Sequence, residues 1–375
     1  MGTMAAALVR LLGAQGQHVE DAAASMHASI AGRVFRALGP LGAPTRAVHD
    51  TVAEGVHGLV RASLGGTGWL GGVLAEAVPD EVLLASPRGR TLVGAVLGLI
   101  GDRVREEEPD LAWPTVLLGQ GAVSAGEVVV LLHGLCETDL AWSMGATVAR
   151  PGLAEVLDEP GRSVLVARMN TGLRAAELGR DLATLLEEQT GGTRVVLVGH
   201  SLGGLVGRAA LRAGTAAGHS WVERCDTLVT LGTPHLGAPL EKAVAVLVKA
   251  GAPVPEVAAV TNWFEQRSAG IRDLRHGVDD DGAAPGVSVV AAPLPKHVRL
   301  HTVGATLRGP AGRVVGDGLV LPGSAHARSV RRPVQARRGP VLDVEGSHFD
   351  LLTDPAVTSH VRAIIDVGSP ALERT

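Results

Sequence analysis

Tyrosine is absent from this 375-residue chain, lysine occurs three times and cysteine twice, and apolar runs are short. Each shortage excludes something. A net charge of −4 leaves no basic excess for a nucleic-acid backbone, so no nucleic-acid partner is expected. Cys136 and Cys225 adjoin apolar, strand-like runs. Two thiols make no disulfide framework and read as small buried hydrophobes. The longest apolar run near the N-terminus, Leu92 to Ile100, is about half what a membrane-spanning helix needs. Arg10 interrupts the first apolar run, and neither a long hydrophobic region nor a small-residue cleavage site follows. The expectation is a soluble cytoplasmic protein. At this length one large core and an additional segment both fit.

What is present is concentrated in one octet, Leu197-Val198-Gly199-His200-Ser201-Leu202-Gly203-Gly204. Fifty glycines make a bare G-x-S-x-G weak evidence, so its surroundings decide. Before it runs the β-branched segment Arg194 to Val198; after it, Leu205 to Leu211 reads as helix. Strand, sharp turn and helix are the context of a nucleophile elbow. Such a turn forces the serine into a strained backbone geometry that only near-absent neighbouring side chains permit. It also leaves the N–H of Leu202 at a helix N-terminus, free to meet an oxyanion.

Further motifs follow in an order that fits. Gly316-Asp317-Gly318-Leu319-Val320 places an acid on a glycine-flanked turn after the apolar strand Leu300 to Gly304. Gly346-Ser347-His348-Phe349-Asp350-Leu351-Leu352 places a histidine after the strand Val341 to Val344. Upstream, Val128 to Leu132 is a buried strand entering His133-Gly134-Leu135. Together with Gly232-Thr233-Pro234-His235-Leu236-Gly237-Ala238-Pro239, these pieces resemble the bacterial lipase and esterase branch of the α/β-hydrolase superfamily. They are close to the lipases grouped with GPI-inositol deacylases. The likeness covers roughly residues 110–367 and leaves the first hundred aside.

The resemblance implies an α/β fold with a mostly parallel sheet, a cap insertion over about residues 238–296, and a catalytic domain over 109–375. It implies a serine carboxylic-ester hydrolase. Ser201 attacks the acyl carbonyl, His348 moves the proton, and Asp317 fixes the imidazole tautomer. The N–H groups of Leu135 and Leu202 hold the oxyanion, and losing one such donor costs ~10²–10³ in turnover. No metal or organic cofactor is called for. An acyltransferase or thioesterase uses the same triad, and a non-catalytic lipid- or granule-binding protein is the alternative from another class. The intact Ser, Asp and His weigh against the last.

Other residues read more plainly. His133 braces its turn, while His200 and His235 pack beside the site. Asp343 and Glu345 are competing acids, but a strand points them along its faces. Asp279, Asp280 and Asp281 repel one another and fit a solvated loop without calcium-ligand spacing. Within the cap, helices are predicted at Leu240 to Lys249 and Val257 to Leu274, and Trp263 and Phe264 are candidates to line an acyl pocket. Residues 1–108 carry stripes at helical spacing, Val19 to Val34 and Val48 to Val60, with further helices predicted near Leu70–Val78 and Thr91–Arg105. They lack the lysine-rich face and aromatic anchors of interfacial helices, so packing on the body is favoured over contact with a lipid surface. Finally, Arg328, Arg331, Arg332, Arg337 and Arg338 occur without an acidic residue from Ala325 to Pro340. Tethered between the acid and the histidine, this loop is expected near the site rim, where it would steer anionic esters if it is not simply solvated.

Overall fold

The computed structural model describes residues 84–109, 112–119, 126–143, 145–238, 268–277, 293–307, 316–328, 334 and 336–368. Within them the chain builds a seven-stranded sheet in the order β1-β3-β2-β4-β5-β6-β7. The strands are β1 (Val116–Leu118), β2 (Glu127–Leu132), β3 (Arg162–Arg168), β4 (Arg194–His200), β5 (Cys225–Leu231), β6 (Arg299–Thr306) and β7 (Arg337–Glu345). β1 pairs antiparallel with β3, and all other pairings are parallel. Parallel strands are covered on both faces and therefore read as continuous apolar runs. β2 and β4 show it: Val128, Val130, Leu132, Val195 and Leu197 enter one core, and Val129, Leu131, Val196 and Val198 enter the other.

Helices fill both faces. α1 is Pro87–Glu107, α2 Leu153–Leu157, α3 Ala175–Gln189, α4 Leu202–Ala217, α5 Ala269–His276, α6 Pro322–Ala325 and α7 Pro355–Gly368. α3 and α4 cover one core through Leu178, Leu182, Leu186 and Leu205; α2 and α7 cover the other through Leu153, Leu157, Val357, Val361 and Ile365. β7 is a largely exposed edge, and its arginines blunt that edge against further strand pairing.

α1 extends beyond the predicted Thr91–Arg105. Ser86 caps it by accepting from the Gly89 N–H at 2.9 Å, and Pro87 occupies the first turn, where a missing N–H is harmless. Val93, Val96, Leu97, Ile100 and Val104 bury its apolar face with Trp113. The helix is interrupted at Ile100. Its carbonyls there are drawn to outside partners: Gly98 and Leu99 accept from Ser268, and Gly101 accepts from the Asn170 amide. The stripes predicted before Leu84 lie outside the described residues, as does the helix predicted from Leu240 to Lys249. Of the helix predicted over Val257 to Leu274, residues 257–267 lie outside the described residues; α5 covers the rest from Ala269, with Ser268 extended and capping it through the Ile271 N–H. Cys136 and Cys225 are not joined to each other in a disulfide. Among the described residues no helix is long and apolar enough to cross a membrane.

Candidate active site

The residues singled out by sequence gather where the parallel strands end. Ser201 joins β4 to α4 with φ 52° and ψ −119°, a left-handed conformation that a side-chain-bearing residue adopts at a cost of about 1–3 kcal/mol. Its neighbours explain how the turn is tolerated. A Cβ on Gly199 would collide with the Gly203–Gly204 backbone, and one on Gly203 would collide with the Leu132 carbonyl. Leu202 starts α4, so its N–H stands at the helix's positive end.

The turn after β2 lies against this elbow. The Glu137 N–H donates to the Gly134 carbonyl at 3.3 Å, with Leu135 and Cys136 between them. Cys136 takes φ 62°, the positive value that position i+2 of a type II turn requires and glycine usually supplies. A Cβ on Gly134 would stand 3.0 Å from the Ser201 Cβ, so turn and elbow serine are in contact. His133 is fully buried; its Nε2 accepts from the Met169 N–H at 3.1 Å. That leaves Nδ1 to donate to the Gly134 carbonyl at 3.0 Å, a bracing role.

Asp317 and His348 meet from two other loops. His348 Nδ1 lies 2.7 Å from Asp317 Oδ2, and both side chains are almost wholly buried. Asp317 Oδ1 accepts from the N–H groups of Leu319 and Val320 at 2.9 and 2.7 Å, and the His348 N–H donates to the Asp317 carbonyl at 2.9 Å. Asp350 closes the histidine loop by accepting from both Ser347 N–H and Ser347 Oγ at 2.7 Å. Burial holds the His348 imidazole below its ordinary range despite the carboxylate. Asp343, the competing acid, is engaged elsewhere: it pairs with His326 Nε2 at 2.7 Å, while His326 Nδ1 meets Thr302 Oγ1 at 3.0 Å.

An elbow serine at positive φ, this strand order, and an acid and histidine on the loops after β6 and β7 decide the fold. It is the α/β-hydrolase fold. A family model described as the PGAP1-like alpha/beta domain matches residues 178–251 of this chain, from α3 through the elbow and β5. Among solved structures, the mature lipase BlEst2 of Bacillus licheniformis is 18% identical over 69% of this chain and 100% of its own, with a TM-score of 0.44. The RedJ thioesterase of the prodiginine pathway in Streptomyces coelicolor is 16% identical over 65% of this chain and 91% of its own, with a TM-score of 0.41. A lipase-esterase related protein from Clostridium acetobutylicum is 13% identical over 67% and 99%, with a TM-score of 0.39. No curated protein matches the chain.

The sequence reading missed Glu137. Its carboxylate accepts from the Gly134 N–H at 2.6 Å and meets His200 Nδ1 at 3.0 Å. His200 Nε2 in turn lies 3.2 Å from the His348 carbonyl. Both ring nitrogens of the fully buried His200 thus face oxygen acceptors, which suits an imidazolium donating twice. Although burial opposes the charge, Glu137 raises the His200 pKa above its ordinary value, and His200 holds the Glu137 carboxyl below its own against desolvation. The pair ties the turn after β2 to the elbow and the histidine loop. His235 is different: lodged between Arg208 and Thr230 Oγ1 at 3.2 and 3.1 Å, it is neutralised by burial and by that guanidinium.

Two further expectations concern the surroundings of the site. Trp263 and Phe264 lie outside the described residues, as do Arg331 and Arg332. Arg337 and Arg338 do not border the site. β7 runs parallel to β6, so the chain must return from the acid turn to the opposite end of the sheet before β7 begins, with Arg337 opposite Arg299. Arg338 donates there to the carbonyls of His326, Ala327 and Val334.

Proposed function

We propose that the protein is a serine carboxylic-ester hydrolase of the lipase or esterase type, working through Ser201, His348 and Asp317. The observation that carries this reading is the strained Ser201 at the start of α4, with the buried His348–Asp317 pair at the same end of the sheet. Ser201 Oγ adds to the acyl carbonyl as His348 Nε2 takes its proton; collapse expels the alcohol, which receives that proton. Water then attacks the acyl-enzyme, again deprotonated by His348, and releases the acid and free Ser201. The Leu135 and Leu202 N–H groups hold the oxyanion in both steps. A base kept below its ordinary pKa is unprotonated, and so competent, at neutral pH. The test is hydrolysis of p-nitrophenyl esters from acetate to palmitate by the wild type and Ser201→Ala. Activity confined to the wild type supports the proposal; equal activity in the variant, or none in a folded wild type, overturns it.

A further inference from the structure

A cavity of about 550 Å³ opens at the opposite end of the sheet from Ser201, between α7 and the beginnings of β5, β6 and β7. Its walls include Arg299, Arg337, His297, His301, His360 and Asp226. Arg299 and Arg337 are direct cross-strand partners, an arrangement in which like charges repel.

Elsewhere on this end of the sheet the arginines are neutralised. Arg162 pairs with Glu127 and Asp366, both at 2.7 Å. Arg194 pairs with Glu127 and, at 2.7 Å, with Asp226. That engagement leaves Asp226 committed to Arg194. Thr227 Oγ1 donates to the same carboxylate at 2.7 Å, so the acid in the cavity wall is already shared. No carboxylate of the described residues pairs with Arg299 or Arg337.

Imidazoles and not carboxylates form much of the remaining wall. His301 is 4% exposed, yet its Nδ1 has no hydrogen-bond partner, and neither does the buried Nε2 of His360. Burial and the neighbouring Arg299 hold His301 down to about 4, so it stands in the wall as a neutral ring. The ring is deliberately accommodated: Pairing between β6 and β7 shifts register at Leu300/Thr302, and any Cβ on Gly339 would collide with the imidazole.

We propose that this cavity is an anion site for a phosphate or phosphate monoester, bound by the guanidinium groups of Arg299 and Arg337. Guanidinium groups have only donors, so the pair matches an oxyanion with several acceptor lone pairs. The cavity exceeds the size of inorganic phosphate, leaving room for an organic substituent. The site is separate from the proposed ester chemistry and does not depend on it.

The test is calorimetric titration of the full chain with inorganic phosphate and, separately, glycerol 3-phosphate, at constant ionic strength set with chloride. Ser201→Ala, Arg299→Ala and Arg337→Ala are titrated alongside. Saturable binding is expected in wild type and Ser201→Ala, weakened about tenfold or more in each arginine variant. Tighter binding of the glycerol ester than of phosphate identifies an organic monoester as the occupant; equal affinity identifies phosphate itself. Arg337 is exposed, so its variant reports even if Arg299→Ala fails to fold. Absence of saturable binding by either anion, or affinity unchanged in folded Arg337→Ala, overturns the proposal.

Discussion

Replacing Glu137 with alanine should damage both stability and turnover, because one carboxylate holds three loops. Its side chain is 8% exposed and serves the Gly134 N–H and the His200 ring. Removing one partner of a buried ion pair leaves the other uncompensated, and such losses run to about 3–5 kcal/mol. Glu137→Gln keeps the shape and one carbonyl acceptor, so its loss should be about 1–3 kcal/mol. The catalytic effect enters through the turn carrying Leu135: if that donor drifts, kcat/KM should fall by up to ~10²–10³. Urea denaturation gives the stability and ester hydrolysis the rate. The pH dependence is a further check. His200, raised by its partner, adds stability that is complete below its ordinary value of 6.5 and lost as pH rises through its folded pKa. Glu137, lowered, adds stability above its ordinary 4.5 that is lost as pH falls through its folded pKa. The contribution is therefore fullest between those two ordinary values, and it should vanish in the Glu137→Ala, His200→Ala double variant. Wild-type stability and kcat/KM in Glu137→Ala would refute the bracing argument.

Asp317→Asn should leave the fold intact but lower kcat by ~10⁴, since an amide can present its N–H to Nδ1 and stabilise the wrong tautomer; a loss under tenfold would move the acid elsewhere. Gly98→Val should destabilise the protein by about 1–3 kcal/mol and depress turnover, because a Cβ at Gly98 meets Cys136 Sγ and backbone at 2.5–2.7 Å. Leu92→Ala, at an exposed position on the same helix, serves as its silent control. Trp263→Ala should shift the acyl chain-length preference; a change in stability alone would remove Trp263 from the acyl pocket.

The elbow, the acid turn and the histidine loop were legible because each is a short motif beside a strand with its own apolar signature. Val128 to Leu132 and Arg194 to Val198 read as buried strands and are such. What was hidden depends on pairs distant in sequence. Glu137 and His200 are 63 positions apart, and no local pattern announces their contact. Gly94, Gly98 and Gly101 are poor helix formers by propensity, yet they let α1 approach Thr138, Cys136 and Asn170. Arg337 and Arg338 lie away from the site rim for a topological reason. Their tethering between Asp317 and His348 said nothing of the return path that a parallel β7 demands.

The central claim is that Ser201 is an activated nucleophile, and covalent trapping tests it most directly. The protein is treated with a phenyl or diethyl phosphoryl ester inhibitor, and its intact mass and peptides are measured. The account predicts one adduct, on the peptide containing Ser201, formed far more slowly in His348→Ala. An unmodified protein, or an adduct on another residue, would contradict it.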